Sequence, residues 1–564
     1  MNKLILIIAF AFTATSLFAQ EGSWVSTIEG ARPVNEAYRI NGQPEAKDTV
    51  IPTPETKYPL LNVKQKTEVE IATIDPAKIK LINKLDKIYN SYVKLGIGYP
   101  VMPLAEVYIN SVRNRQYNWG IHAKHLSNWS KVKGYAPAYY DNTSLDIFGK
   151  VLKRKYALSG EIDFFNNGNR FYGIQNEAID KDSIRQRFNN IGAAVYYESR
   201  GKDSATFHYK FGAKYTHFMD LKHKDDSTKK RFGRENILNI TSHYKYRLKN
   251  HLFSGDFNID YNGYKYGETD TLLGNGIQGR KRSDFILTLA PEFSTFGRKW
   301  LVRVGAALVL DMDDNTKFHV FPKFHFQYRM FDDVFIPYLG ITGGLNQTTF
   351  KSTTRENEFL LSSVRLQNEA QMFEAYLGFK GAITKTITFN TSASFGLYRE
   401  TPLYVNDSLS ANRFDIIYDS MYRLNAEASI SYQLNEKIKV DFVGNYFYYM
   451  MNTEEFAWNR PDYQFMLRGT YDMFDKFVFN LDVTMQGGRK AKLHAAEDGS
   501  LEKNGVHYKK LGFLADVNLG FEYRYTKRFS AFIQLNNLAA QRYLRYNNYP
   551  VQGFQVLGGV TFKF

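Results

Sequence analysis

The last twelve residues, 553–564 (GFQVLGGVTFKF), place Phe554, Val556, Gly558, Val560, Phe562 and Phe564 on one face of an extended strand. Gln555, Leu557, Gly559, Thr561 and Lys563 fall on the other. Side chains alternate with a period of two along a strand. An unbroken apolar face that ends on an aromatic fits a transmembrane barrel, where one face meets lipid and the other a wet lumen. A single strand fits the edge of a soluble sandwich equally well, so the pattern has to recur.

It recurs along the C-terminal four-fifths of the chain. From 513 to 525, Phe513, Ala515, Val517, Leu519, Phe521, Tyr523 and Tyr525 alternate with Leu514, Asp516, Asn518, Gly520, Glu522 and Arg524. Leu424, Ala426, Ala428, Ile430, Tyr432 and Leu434 alternate with Asn425, Glu427, Ser429, Ser431 and Gln433. Phe253, Gly255, Phe257, Ile259 and Tyr261 alternate with Ser254, Asp256, Asn258 and Asp260. Many such runs reach ten residues or more. Soluble strands average ~5–6 residues, whereas a tilted strand needs ~9–11 to cross a bilayer.

Mean hydropathy is −0.41, and no run of ~18 apolar residues exists to form a membrane helix. A barrel hides from hydropathy in this way, because each lipid-facing residue is diluted by a lumen-facing one. The 44 Phe and 40 Tyr suit aromatic girdles at the two interfaces. Residues 1–19 read as a signal peptide: Lys3, an apolar run from Leu4 to Phe12, and Ser16-Leu17-Phe18-Ala19 before Gln20. The chain has no cysteine, which excludes a lipid-anchored lipoprotein, a disulfide framework and thiolate metal sites. An exported barrel of this kind belongs in a bacterial outer membrane.

The alternating segments, from 92–99, 105–111 and 117–124 to 513–525, 530–538 and 554–564, predict an all-β antiparallel barrel of roughly 22 strands over 91–564. Tight links at 296–298, 384–386, 435–437 and 526–528 alternate with longer ones at 351–370, 401–421, 488–509 and 542–552. Short turns on one rim and long loops on the other put both termini in the periplasm. Residues 20–90 carry Pro33, Pro44, Pro52, Pro54, Pro59 and Pro76 without sustained alternation. This segment reads as a periplasmic extension, either a flexible tail or an element that enters the barrel mouth or docks a partner.

Asn537-Leu538-Ala539-Ala540-Gln541-Arg542-Tyr543, followed by Tyr549-Pro550, Gly553 and terminal Phe564, resembles the closing hairpin of TonB-dependent receptor barrels. Ala539 replaces the family's usual aromatic there. The chain also resembles Bacteroidetes outer-membrane barrels related to those receptors. That likeness is carried by Tyr38-Arg39-Ile40-Asn41-Gly42, Asp48-Thr49-Val50-Ile51-Pro52, Asp75-Pro76-Ala77-Lys78, Tyr92-Val93-Lys94-Leu95-Gly96 and Ile121-His122-Ala123-Lys124-His125. The resemblance implies an outer-membrane location and gives Phe564 the role of an insertion signal. It also implies a plug domain and a TonB-contacting box, neither of which is recognisable in the roughly seventy mature residues before the first strand. That puts energised transport and a TonB contact in doubt. A barrel this wide leaves an aqueous channel, to be filled by the N-terminal segment, by infolded loops or by another protein.

Chemistry is sparse. His122 and His125 are three apart and point to opposite strand faces, so they cannot share a metal. Lys317, His319, Lys323, His325 and Arg329 share one face and form a lumen-side basic stripe, which repels a metal cation. No catalytic constellation, metal site or cofactor site stands out, and an enzyme is not expected. The formal charge of +16 attracts anions or pairs with lumen acids and lipopolysaccharide phosphates. Nucleic acid is not an expected partner of an exported barrel. The expected partners are outer-membrane lipid, lipopolysaccharide and other outer-membrane or periplasmic proteins. The expected role is a non-enzymatic subunit of a multi-protein assembly for barrel assembly, secretion or nutrient uptake. The alternative is a passive or partner-gated channel.

Overall fold

The computed structural model describes residues 89–564 apart from 112–113, 201–206, 222–232, 266–280, 314 and 498. The leader, residues 20–88, and the expectations about plug and TonB box lie outside the described residues. In chain order the wall begins with β1 (Tyr92–Tyr99), β2 (Leu104–Asn110), β3 (Tyr117–Asn128), β4 (Tyr140–Leu152), β5 (Tyr156–Arg170), β6 (Arg185–Ser199) and β7 (Phe207–Asp220). It continues with β8 (Arg234–Leu248), β9 (His251–Lys265), β10 (Lys281–Phe296), β11 (Trp300–Met312), β12 (Thr316–Tyr328), β13 (Ile336–Asn346) and β14 (Glu369–Ala382). It ends with β15 (Ile387–Asn406), β16 (Phe414–Leu434), β17 (Ile438–Met451), β18 (Tyr463–Met473), β19 (Phe477–Gly487), β20 (Leu514–Arg524), β21 (Phe529–Asn536) and β22 (Gln555–Lys563).

Sequential strands pair antiparallel, and β1 pairs with β22 from Tyr92↔Lys563 to Tyr99↔Val556, which closes a 22-stranded barrel. Closure matters because lipid offers no hydrogen bonds to a free strand edge. No helix among the described residues is long and apolar enough to span a membrane. Alternation sorts the two faces as read from the sequence. In β12, Phe318 and Val320 are 65% and 54% exposed on the outer face, while Phe321, the next residue, is fully buried on the inner one.

One expected loop is much shorter than the sequence suggests. The stretch 401–421 is almost entirely strand: β15 and β16 run 20 and 21 residues and stay paired up to Asn406↔Phe414. A register shift between Tyr398 and Thr401 lies near the end of the alternating part. Beyond it Leu403, Tyr404 and Val405 are all buried, so the period-two signal ends where the ladder does not. The connections 488–509 and 542–552 also hold short strands of their own.

Turns such as 435–437 and 474–476 form one rim of the barrel, where Tyr92 and Lys563 also lie. The longer connections form the other. β12 and β13 share only four paired positions, Phe324↔Ile341 to Gln327↔Tyr338. Above them the β13–β14 ladder is irregular between Thr342 and Gly344. A Cβ on Gly343 would lie 2.9 Å from the Gln371 carbonyl and 3.2 Å from Phe321, so only glycine fits this close approach.

Candidate functional site: the covered mouth

The connection from β13 to β14, residues 347–368, does not project from the loop rim. Asn169 of β5 donates its side-chain amide to the Glu358 carbonyl at 2.8 Å. Three residues on, the Leu361 N–H donates to the Phe414 carbonyl of β16 at 2.9 Å, and the Phe414 N–H donates to the Phe359 carbonyl at 3.0 Å. In a ring of 22 strands, β5 and β16 stand eleven apart, on opposite walls. Residues 358–361 reach ~10 Å at most, so the two strands meet this crossing segment over the mouth: the β15–β16 hairpin leans inward, and Asn412 at its tip donates to the Phe171 carbonyl just past β5 at 3.1 Å.

The crossing begins with a short helix, α1 (Phe350–Glu356), whose N-terminal N–H groups need acceptors. Thr349 and Ser352 satisfy two of them in a reciprocal capping arrangement. The Glu235 carboxylate of β8 accepts from the Phe350 N–H at 2.7 Å and the Lys351 N–H at 2.9 Å, and its own partner Asn262 donates at 2.9 Å. A carboxylate at a helix N-terminus is also favoured by the peptide dipoles. Phe350 then packs its ring against Phe218, Tyr264 and Phe188 at centroid distances of 5.6, 5.2 and 6.1 Å.

Further along, Phe359 stacks on Tyr549 at 3.7 Å, and the Tyr546 hydroxyl donates to the Glu356 carbonyl at 2.8 Å. The far end is held by Asn368, which donates to Asp284 at 3.1 Å and Asp311 at 3.2 Å. Arg282 donates to the Thr348 carbonyl at 3.1 Å. The apolar residues of the crossing and the inward rings of the wall form one buried cluster that includes Phe188, Phe218, Phe350, Phe359, Phe414 and Tyr549.

Between the underside of the crossing and strands β7 to β10 lies a cavity of about 340 Å³ lined by Lys214, Asn239, Asp260, Thr288, Gln347 and Lys351 among others. Lys214 is paired with Asp163 at 3.4 Å and Glu161 at 3.6 Å, and Asn239 donates to Asp260 at 2.6 Å. Burial holds the Lys351 ammonium below the ordinary lysine range. Among the described residues no group of three or more acidic or histidine side chains is placed to hold a metal ion.

The basic stripe lies on or just beyond β12, on the face that carries Phe321. Phe321 packs with Ile286, Ala307 and Val309 and so separates His319 from Lys323. His319 stacks on Phe321 at 5.5 Å, and His325 is 2.9 Å from the Tyr376 hydroxyl. Lys317 borders a second cavity of about 170 Å³ at the loop rim. Arg329 sits in the following turn, 3.6 Å from Asp333. His122 faces Glu106 at 2.9 Å and His125 faces Thr143 at 2.8 Å, on opposite strand faces. Phe564 donates its N–H to the Ser91 carbonyl at 3.0 Å beside the closing seam, with its ring half exposed.

Sequence reasoning missed the anchors Glu235, Asn169 and Asn368. The available signal was aromatic residues at inward positions, Phe188, Phe218, Tyr264 and Phe321, where a wet lumen has no use for them.

No family model matches the chain and no curated protein matches it. Solved structures share its fold. The FrpB iron transporter from Neisseria meningitidis aligns with TM-score 0.65 and 9% identity over 85% of this chain and 82% of that one. The siderophore receptor PirA from Acinetobacter baumannii aligns with TM-score 0.62 and 12% identity over 84% and 80%. The copper transporter OprC aligns with TM-score 0.60 and 12% identity over 84% and 80%. These neighbours are outer-membrane receptors and transporters of the TonB-dependent type, and at this identity the likeness is one of fold.

Proposed function

We propose that this chain is an outer-membrane barrel, with its tight-turn rim and both termini in the periplasm, that works as a non-enzymatic subunit of a multi-protein assembly. The observation that carries this reading is the inward course of 347–368 over the mouth, bound to Asn169 of β5 and to Phe414 of the β15–β16 hairpin, which itself reaches Phe171. A mouth closed by a packed, hydrogen-bonded segment does not serve as a free-running pore. Its companions are outer-membrane lipid, lipopolysaccharide and one or more proteins at the outer membrane or in the periplasm.

A second reading is a partner-gated channel. The polar cavity beneath the crossing and the siderophore and copper names of proteins with the same fold favour it. Planar-bilayer recordings on the intact protein, run beside native purification in mild detergent, separate the readings. Low conductance with co-migrating proteins is the expected result. Replacing residues 350–361 by a short Gly-Ser linker should raise the conductance severalfold. Large steady conductance from the isolated intact chain, with nothing co-purifying, would overturn the subunit reading.

A further inference from the structure

Two turns on the tight-turn rim share the sequence Met-Phe-Asp, at Met330-Phe331-Asp332 and Met473-Phe474-Asp475. Phe474 and Asp475 both have φ of 57°, and the Lys476 N–H donates back to the Met473 carbonyl at 3.2 Å. Phe331, Asp332 and Asp333 have φ of 51°, 52° and 69°. Left-handed backbone is normal for Gly or Asn in a hairpin turn and unfavourable for a bulky ring. The rings also gain nothing from burial, since Phe331 is 74% and Phe474 is 76% exposed. Conformation opposes phenylalanine at these positions, and no packing within the chain offsets it. Strain of this kind concentrates at functional positions.

Between them on the same rim, the β14–β15 turn presents Ile383 at 63% exposure. Six strand steps separate the two phenylalanine turns, roughly 29 Å along the wall at ~4.8 Å per step. The tight turns outside this arc carry Lys153, Arg154, Arg298, Lys299 and Lys527 and suit anionic lipid headgroups. The apolar arc differs. Each exposed ring is followed by a carboxylate, and Asp332 and Asp475 form no ion pair among the described residues. Over the turns 329–335, 383–386, 435–437 and 474–476, Arg329, Lys385, Lys437 and Lys476 offset Asp332, Asp333, Glu436 and Asp475, so the arc is neutral overall where the rest of the rim is basic. Phe474 lies three residues past Tyr471, whose ring stacks on Phe479 on the outer face. That carries it roughly 7–10 Å beyond these rings at strand rise.

We infer that this arc, Phe331, Ile383 and Phe474 with Asp332 and Asp475, docks a folded periplasmic protein domain whose surface offers apolar pockets bordered by basic groups. The ~29 Å span is that of a small domain rather than of a single peptide end. Carboxylates beside the rings complement a basic border and disfavour phosphate headgroups. Exposed aromatic anchors in a polar surround are the usual carriers of interface affinity. The inference rests on the proposed periplasmic orientation of this rim.

The test places a photo-crosslinking phenylalanine analogue at position 331 or 474 of the full chain in native membranes, with Arg154 and Arg298 as control positions. One adduct of common mass from 331 and 474, absent from the controls, is expected; no protein adduct overturns the docking. Phe331→Trp and Phe474→Trp proteins in vesicles of phosphatidylethanolamine with brominated phosphatidylcholine should show no more quenching than the parent. Strong added quenching would identify the bilayer as the occupant and overturn it too.

The Phe331→Asn/Phe474→Asn variant should keep or raise its thermal unfolding temperature and lose the native complex by at least tenfold. A lowered unfolding temperature would show that the rings act only in the turns. If the parent forms a complex and this variant retains it, the docking arc is wrong while the subunit reading stands. If the parent forms no complex at all, both fall.

Discussion

Glu235 and Phe350 are joined by a 2.7 Å hydrogen bond from the Phe350 N–H to a fully buried carboxylate, across 115 residues of sequence. The bond ties the first turn of α1 to the barrel wall, where the crossing segment leaves β13 behind and enters the lumen.

Replacing Glu235 with Ala removes the acceptor of two helix N–H groups and of the Asn262 amide. Hydrogen bonds to a charged group contribute ~1.5–3 kcal/mol each, and they act here as one network rather than additively. The crossing should lose about 2–3 kcal/mol of local stability. Faster hydrogen exchange and proteolytic nicking within 350–361, with the heat-modifiable barrel band intact, is the expected outcome.

The two faces of the wall should respond oppositely to charge. Leu377 points outward at 50% exposure, and Ser394 on the paired strand points inward opposite Tyr376. Leu377→Arg should cost ~2–4 kcal/mol if it lies near the bilayer midplane, and Ser394→Arg much less. Equilibrium unfolding from lipid vesicles measures both, and equal costs would contradict the assigned faces.

Deleting Phe564 removes the N–H donor to Ser91 and one of two stacked rings beside the seam where β22 meets β1. The amount of membrane-inserted, heat-modifiable protein should fall. Normal insertion of the shortened chain would remove the role assigned to this residue.

With 350–361 replaced by a linker, the lumen should favour anions, because Lys317, Lys323 and Arg303 share the inward face of neighbouring strands. Adding Lys317→Glu and Lys323→Glu should move the reversal potential toward cation selectivity. An unchanged reversal potential would mean that these side chains do not line the conducting path.

The barrel itself was legible in the chain. Alternation is a property of a single strand, imposed by lipid on one side and water or a polar lumen on the other. Leu424 to Leu434 or Phe253 to Tyr261 therefore declare their faces without knowledge of their neighbours, and the even number of passes follows from the turns. Infolded loops were one of the expected ways to fill the lumen, but which loop does so was not legible. Residues 351–370 read as an ordinary long connection, and Glu235 as one more polar residue near a strand end. Their roles depend on contacts between residues far apart in sequence, such as Glu235 with Phe350 and Asn169 with Glu358, 189 positions away. Local pattern fixes which side of the wall a residue faces. Only the closed ring brings the inward-leaning tip of the β15–β16 hairpin to the top of β5, and so gives 347–368 partners from both.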